Sequence, residues 1–125
     1  MTAISAGAAG DTYYVAHDHS ETGFSADTTI TFKGTKASPD RIICVNRAGS
    51  VPPVPADLRT TAVIGPTGNY MFQLAGSFYC YGVQWQTGSP HLSQGWNNGH
   101  QRYEQCLFYS MVNAWNASIS FAWSG

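Results

Sequence analysis

The alternation of apolar and polar side chains with a period of two constrains this chain most, because it recurs along most of its length. In TTITFK, Ile30 and Phe32 share one face, and Thr29 and Thr31 share the other. Successive side chains of a strand lie on opposite faces of a sheet, whereas a helix repeats about every 3.6 residues. The pattern therefore predicts an all-β protein.

Five further segments predict strands. NYMFQLAG and the closing ASISFAWSG alternate in the same way, and YEQCLFYSMVNAW is rich in the aromatic and β-branched residues that favour strands over helices. DRIICVN is a β-branched run and is predicted to be buried on both faces. In SFYCYGVQWQ, one face of a single strand is predicted to carry Tyr79, Tyr81, Val83 and Trp85.

The spacing of turn signals between these segments indicates a sandwich or a barrel. KGTKASPD, GPTGN and GSP separate the apolar runs, and no repeat of fixed period is visible by eye. A chain of 125 residues is large enough for one core. We therefore predict a small antiparallel β-sandwich, jelly-roll or lectin-like, over residues 12–125. Residues 1–11 are predicted to be a flexible linker or a domain start.

The segment from Asn46 to Arg59 lacks the rhythm of a strand. It contains VPPVP, and its three prolines favour an extended connection with few backbone donors. We expect it to cross between two sheets, with a ligand for a proline-recognising domain as the alternative.

Charge is scarce and unevenly distributed, which excludes several classes of function. Charged residues make up 10% of the chain, against roughly 25% in an average soluble protein, and none lies between Arg59 and Arg102. The six basic residues are scattered, so we expect no nucleic-acid partner. No apolar run approaches the roughly 20 residues of a membrane helix, so we expect no membrane insertion.

The segment from Gln86 to Arg102 is predicted to be a long binding loop. QTGSPHLSQGWNNGHQR has no carboxylate but many neutral hydrogen-bonding groups around one Trp. A saccharide site needs an aromatic ring to cover the apolar ring face, and fixed polar groups to match the hydroxyls. The candidate ligand-binding residues are Trp85, His91, Gln94, Trp96, Asn97, Asn98, His100, Arg102 and Tyr103. In the alternative, Trp96 belongs to the core and NNG only forms a turn.

Two histidines near the amino end are candidate metal ligands. On a strand, His17 and His19 of VAHDHSETG would lie on the same side, and imidazoles are common ligands of transition metals. Three copies around a threefold axis would supply six ligands, whereas in the plainer alternative His17, Asp18 and His19 form a solvated turn.

The chain has an odd number of cysteines without CxxC spacing. At least one of Cys44, Cys80 and Cys106 must therefore be free or bonded to another chain. Cys44 and Cys106 lie in apolar settings, where we expect free thiols that behave as small core residues.

Two of these motifs resemble elements of phage tail proteins. The His-x-His dipeptide resembles the element that tail fibres and tail spikes repeat along their trimer axis, where it binds iron. ETGFSADTTITFKGTKASPDRIICVN is similar in layout to modules of phage tail fibres and H-type lectins, and SISFAWSG resembles their Trp-bearing final strand. The resemblance implies a homotrimer located in the virion, at a tail fibre, or outside the cell.

Together these observations predict a non-catalytic receptor-binding head that recognises a host-surface glycan or another neutral polymer. Motifs such as GxSxG and HExxH are missing, and no carboxylate pair lies in the predicted loop, so we expect no enzyme. The alternative is a structural subunit, such as a capsid decoration or pilus-type protein, whose aromatic carboxy-terminal half forms subunit interfaces.

Overall fold

The computed structural model describes residues 4, 6–88, 91–94, 99–111 and 118–120, the strands 91–94 and 118–120 without their side chains. Apart from the helical residues 4 and 6, the described chain is built from strands, with a short 3-10 turn at Pro55–Asp57. The strands are β1 Thr12–Ala16, β2 Ser20–Glu21, β3 Thr28–Thr31, β4 Asp40–Val45, β5 Ala62–Ile64, β6 Phe72–Ala75, β7 Phe78–Tyr81, β8 Val83–Thr87, β9 His91–Gln94, β10 Gln101–Glu104, β11 Leu107–Ser110 and β12 Ser118–Ser120.

Every third strand returns to the same sheet, one place further along. The first sheet has the order β1-β4-β7-β10, the second β2-β5-β8-β11 and the third β3-β6-β9-β12. All strand pairs within these sheets are parallel. The chain therefore winds through four coils of a parallel β-helix, and each coil contributes one strand to each sheet.

The predicted all-β class agrees with this structure, but the antiparallel jelly-roll or lectin-like sandwich is wrong. The reason lies in the corners between strands. Gly82 alone joins β7 to β8, with φ of +74°. A hairpin needs a loop of about two residues, so a one-residue corner directs the chain into the next sheet instead of reversing it.

The same corner reverses the phase of the side chains. Phe78 and Cys80 are buried while Tyr79 and Tyr81 are only partly covered, and after Gly82 the buried apolar residues of β8 are Val83 and Trp85. The prediction that Tyr79, Tyr81, Val83 and Trp85 share one face is therefore wrong.

The predicted burial of DRIICVN on both faces is also wrong. In β4, Asp40, Ile42 and Cys44 are buried, whereas Arg41 is exposed and Ile43 is half-buried. Burial on both faces requires a second layer over the sheet. The outward face of the first sheet has no such layer in the described part of the chain.

The core lies inside the coils, where aromatic rings pack against one another among aliphatic side chains. Phe72 packs against Phe24 and Trp85, with ring centroids 5.5 Å and 6.1 Å apart. Phe78 packs against Phe32 at 4.2 Å and Tyr103 at 5.4 Å. These rings come from different coils, so the core ties the coils together along the axis.

A buried carboxylate fixes the start of the second coil. Asp40 has no exposed surface, and its Oδ1 accepts the Gly10 N–H at 2.8 Å while its Oδ2 accepts the Lys33 N–H at 2.9 Å. A buried carboxylate is tolerated only when it is hydrogen-bonded. Asp40 thereby connects the segment before β1 to the segment after β3. The boundary predicted at residue 11 stays a prediction.

The Pro-rich segment connects β4 of the first sheet to β5 of the second, in agreement with the predicted crossing between sheets. It is held by Asp57, whose Oδ2 accepts the Ser50 hydroxyl at 2.8 Å and the backbone N–H groups of Ser50 and Val54, each at 3.1 Å. The hydroxyl of Ser50, followed by these N–H groups, lowers the pKa of Asp57.

A substitution at Gly76 tests how tightly the backbone is constrained at the corner between β6 and β7. Its φ is +93°, and an added Cβ would collide with the carbonyl oxygen of Phe32. We expect Gly76→Ala to lower the free energy of unfolding by about 2 kcal/mol or more, since the conformation and the collision both oppose a side chain.

Denaturant titration followed by circular dichroism measures this effect. Gly23→Ala is the matched control, because a Cβ at Gly23 meets nothing within 4 Å. We expect a change of about 0.5 kcal/mol or less there. Equal effects of the two substitutions would show that the Gly76 corner is not tightly constrained.

Candidate functional site

The outward face of the first sheet carries two rows of large side chains. The hydrogen-bonded register aligns Arg41 of β4 with Tyr79 of β7, and Tyr79 with Arg102 of β10. The next row aligns Ile43 with Tyr81, and Tyr81 with Glu104. Side chains alternate along each strand, so these residues point away from the buried Ile42 and Cys80.

Tyr79, Arg102 and Glu104 form a connected cluster in these rows. The Arg102 guanidinium carbon lies 5.6 Å from the centre of the Tyr79 ring, within the range of a cation–π contact. The Tyr79 hydroxyl donates to Glu104 Oε2 at 3.0 Å. Arg102 Nη2 lies 3.5 Å from the same oxygen. The three contacts hold the phenol ring in a defined orientation on the surface.

The cluster borders a groove of about 490 Å³. The groove is lined by Lys36, Pro39, Arg41, Ile43, Phe78, Tyr79, His100, Arg102 and Glu104. Three permanent cations therefore face one carboxylate, in a chain with a formal net charge of −1. This imbalance favours a ligand that carries negative charge.

The Tyr79 phenol is kept protonated in this setting. Burial, followed by the hydrogen bond to Glu104, raises the pKa of Tyr79 to about 12. The hydroxyl therefore donates to Glu104 at neutral pH. An aromatic ring flanked by guanidinium donors can cover the apolar face of a sugar while the donors bind its hydroxyl or carboxylate oxygens.

Two of the predicted ligand-binding residues lie together in this groove. His100 and Arg102 are both exposed there. The backbone N–H of His100 donates to Ser77 Oγ at 3.0 Å, which fixes the chain just before β10.

Two others face the interior instead. Trp85 has no exposed surface and stacks on Phe72. Tyr103 packs edge-on against Phe78 and Phe108, with centroids 5.4 Å and 4.9 Å apart. Neither ring offers a face to a ligand in this structure, because both occupy inward positions of their strands.

The predicted single long loop from Gln86 to Arg102 is not what the described residues form. Gln86 and Thr87 end β8, His91 to Gln94 form β9, and β10 begins at Gln101. The side chains of His91 and Gln94 lie outside the described residues, as do Trp96, Asn97 and Asn98. The role proposed for them stays a prediction.

His17 and His19 lie in the turn between β1 and β2, not on a strand. The His19 N–H donates to the Ala16 carbonyl at 2.9 Å, which closes the turn. His17 Nδ1 accepts the Arg47 N–H at 3.3 Å, and His19 Nε2 lies 3.4 Å from Glu21 Oε2. No cluster of three or more potential metal ligands occurs among the described residues. A shared ion between copies stays a prediction.

The groove also contains residues that were not among the predicted ligand-binding residues. Lys36, Arg41, Tyr79 and Glu104 come from four separate segments. The alternation in SFYCY could have indicated Tyr79, because it places Tyr79 on the strand face away from the buried Phe78 and Cys80.

Comparisons with known proteins give no relative from which a function follows. No family model, curated protein or solved structure matches the chain. Within the described segments, no helix has the length and apolar character needed to cross a membrane. The groove is the candidate site because Tyr79, Arg102 and Glu104 contact one another along its wall.

The burial of Trp85 leads to a prediction. We expect Trp85→Ala to lower the free energy of unfolding by about 3–5 kcal/mol, because it removes a large side chain from a closed core. Tyr14→Ala is the control, since Tyr14 is 42% exposed, and it should cost about 1 kcal/mol or less. Thermal and denaturant unfolding measure the stability of the two variants. A stable Trp85→Ala variant would contradict the core role of the indole.

Proposed function

We propose that this chain is a non-catalytic module that binds a host-surface glycan along the outward face of its first sheet. The observation that carries the proposal is the row Arg41, Tyr79 and Arg102, in which the strand register places a tyrosine between two arginines. Neighbouring strands are about 4.8 Å apart, so this row spans roughly 10 Å. That length suits an extended chain of sugar units better than a small metabolite.

The ligand class follows from the charges in the groove. Lys36, Arg41 and Arg102 outnumber Glu104, which favours saccharides with carboxylate or other anionic substituents over fully neutral ones. This proposal keeps the predicted host-surface glycan but departs from the neutral polymer predicted from composition. Each exposed contact is worth only about 1 kcal/mol, so a single site binds weakly. Several copies on one particle then raise the apparent affinity.

The setting we propose is a virion tail fibre or another extracellular attachment structure, with a homotrimer as the oligomer. In that trimer, His17 and His19 of three copies bind a transition ion such as iron. Metal analysis of the purified protein is then expected to find about one ion per three chains. A metal-free trimer would remove the ion from the proposal and leave the groove unaffected.

Tyr79 provides the sharpest test of the groove. We expect Tyr79→Ala to weaken binding roughly tenfold or more, because the platform for the sugar ring is lost. Tyr81→Ala is the matched control: Tyr81 lies on the same strand and face, two residues away, and does not line the groove. Binding is measured on an array of neutral, sialylated and uronic-acid saccharides, and then by titration with the best one.

Further variants and a change of salt concentration distinguish binding in the groove from binding at the segment around Trp96. Arg102→Ala should reduce binding to acidic saccharides most, and raising the salt from about 0.05 M to about 0.5 M should weaken it. If Trp96→Ala abolishes binding while Tyr79→Ala binds normally, the site lies in the segment around Trp96. If the unaltered protein binds no saccharide, the proposed function is wrong.

A structural subunit is the second candidate, and the sheet edges favour it. In the described part of the chain, β1 and β10 pair on one side only, and edge strands are templates for further strands. Leu107 and Met111, in and just after β11, are 52% and 53% exposed. If coils of separate copies stack there, light scattering should detect large assemblies that Leu107→Lys dissociates. A monomer or closed trimer unaffected by Leu107→Lys would exclude this candidate.

A further inference from the structure

Two of the three cysteines lie against each other inside the β-helix. Cys80 points inward from β7 and has no exposed surface. Cys106 follows the end of β10 by two residues and is half-buried. Their Sγ atoms are 3.5 Å apart. Both cysteines are free thiols in this structure.

The corner after β10 produces this contact. The register aligns Tyr103 with Cys80 and Glu104 with Tyr81, so Cys80 and Cys106 belong to adjacent coils. Gln105 then adopts a φ of +53° and turns the chain toward β11. As a result, Cys106 Sγ also lies 3.5 Å from the carbonyl oxygens of Cys80 and Glu104.

We infer that Cys80 and Cys106 are the site of a reversible intramolecular disulfide that joins the third coil to the fourth. A disulfide has an S–S distance of about 2.05 Å, so the two sulfurs must approach by roughly 1.5 Å. Cys106 lies at a partly exposed corner. The inference is independent of the proposed glycan site.

The environments of the two thiols assign them different roles. The hydrogen bond with Cys80 chiefly lowers the pKa of Cys106 to about 7, and backbone groups of Val83, Glu104 and Gly82 add to this against the opposing effect of burial. Burial, with the Cys106 contact, raises the pKa of Cys80. The thiolate is the nucleophile in disulfide exchange. Cys106 therefore attacks first, and Cys80 resolves the intermediate.

Oxidised glutathione is a sufficient oxidant, and the steps balance. The Cys106 thiolate attacks one glutathione sulfur, forms a mixed disulfide and releases one glutathione thiolate, which takes up a proton. Cys80 then loses its proton and attacks Cys106 Sγ, which releases the second glutathione. Two protein thiols are oxidised to one disulfide, and one glutathione disulfide is reduced to two glutathione thiols.

Cys44 remains outside this pair and accounts for the odd number of cysteines. It is fully buried in β4, next to the corner at Gly82, where an added Cβ would lie 3.2 Å from the Cys44 Cβ. It therefore serves as an internal control that stays reduced in the folded protein.

The test is to incubate the native chain with oxidised glutathione, then count free thiols in denaturant and map the peptides by mass spectrometry. We expect one free thiol, at Cys44, and a disulfide-linked peptide pair containing Cys80 and Cys106. Persistence of a glutathione adduct on Cys106 without the linked pair would overturn the inference. Retention of all three thiols while iodoacetamide alkylates Cys106 would overturn it equally.

Three variants sharpen the result, with circular dichroism to check folding. Cys44→Ala should still form the cross-link, and Cys106→Ala should not. Cys80→Ala should instead accumulate the glutathione adduct on Cys106, because the resolving thiol is missing. A cross-link to Cys44 in any variant would contradict the assignment. The peptide map of the unaltered chain decides the question even if a variant fails to fold.

The pH dependence of alkylation gives a separate readout. The Cys106 thiolate fraction rises with pH through a pKa of about 7, so the rate with iodoacetamide should reach half its maximum near that pH. Cys80→Ala removes the main stabilising contact and should move the midpoint up, toward the ordinary thiol value of about 8.5. A midpoint at or above about 8.5 in the unaltered protein would contradict the nucleophilic role of Cys106.

Discussion

In-register hydrogen bonding between successive coils is the constraint on which the rest of this structure depends. The inner strands of each sheet, such as β4 and β7, use both edges to pair with the coils on either side. Once the register is fixed, every inward residue lies beside its counterparts in neighbouring coils, as Ile42 does beside Tyr13 and Cys80. The corners must then match this spacing, which explains why a glycine with positive φ occupies position 82.

The sequence could predict the strands but not their partners. The alternation in TTITFK and NYMFQLAG indicates which residues of each strand are buried. Both segments form strands, and the expected residues Ile30 and Leu74 are buried. Which strands pair with each other depends on the number of residues in each coil. The first-sheet strands begin at Thr12, Asp40, Phe78 and Gln101, which are 28, 38 and 23 residues apart. Coils of such unequal length leave no fixed period in the sequence.

The candidate site could not be predicted as a unit for the same reason. Arg41, Tyr79 and Arg102 are far apart in the chain, and only the register brings them into one row. Composition did indicate a surface with few charges, since residues 60–101 contain no Asp, Glu, Lys or Arg. That uncharged segment supplies β7, the strand between the two arginines. The uncharged segment therefore contributes the central strand of the cationic groove.

The strands β7 and β10 carry different chemistry on their two faces. Cys80 and Tyr103 lie inside, whereas Tyr79, Arg102 and Glu104 lie outside on the same two strands. Alternation makes this separation possible, because one residue along the strand changes the environment from core to solvent. A covalent bond between Cys80 and Cys106 would restrain the spacing of the strands that hold the Tyr79 ring beside Arg102.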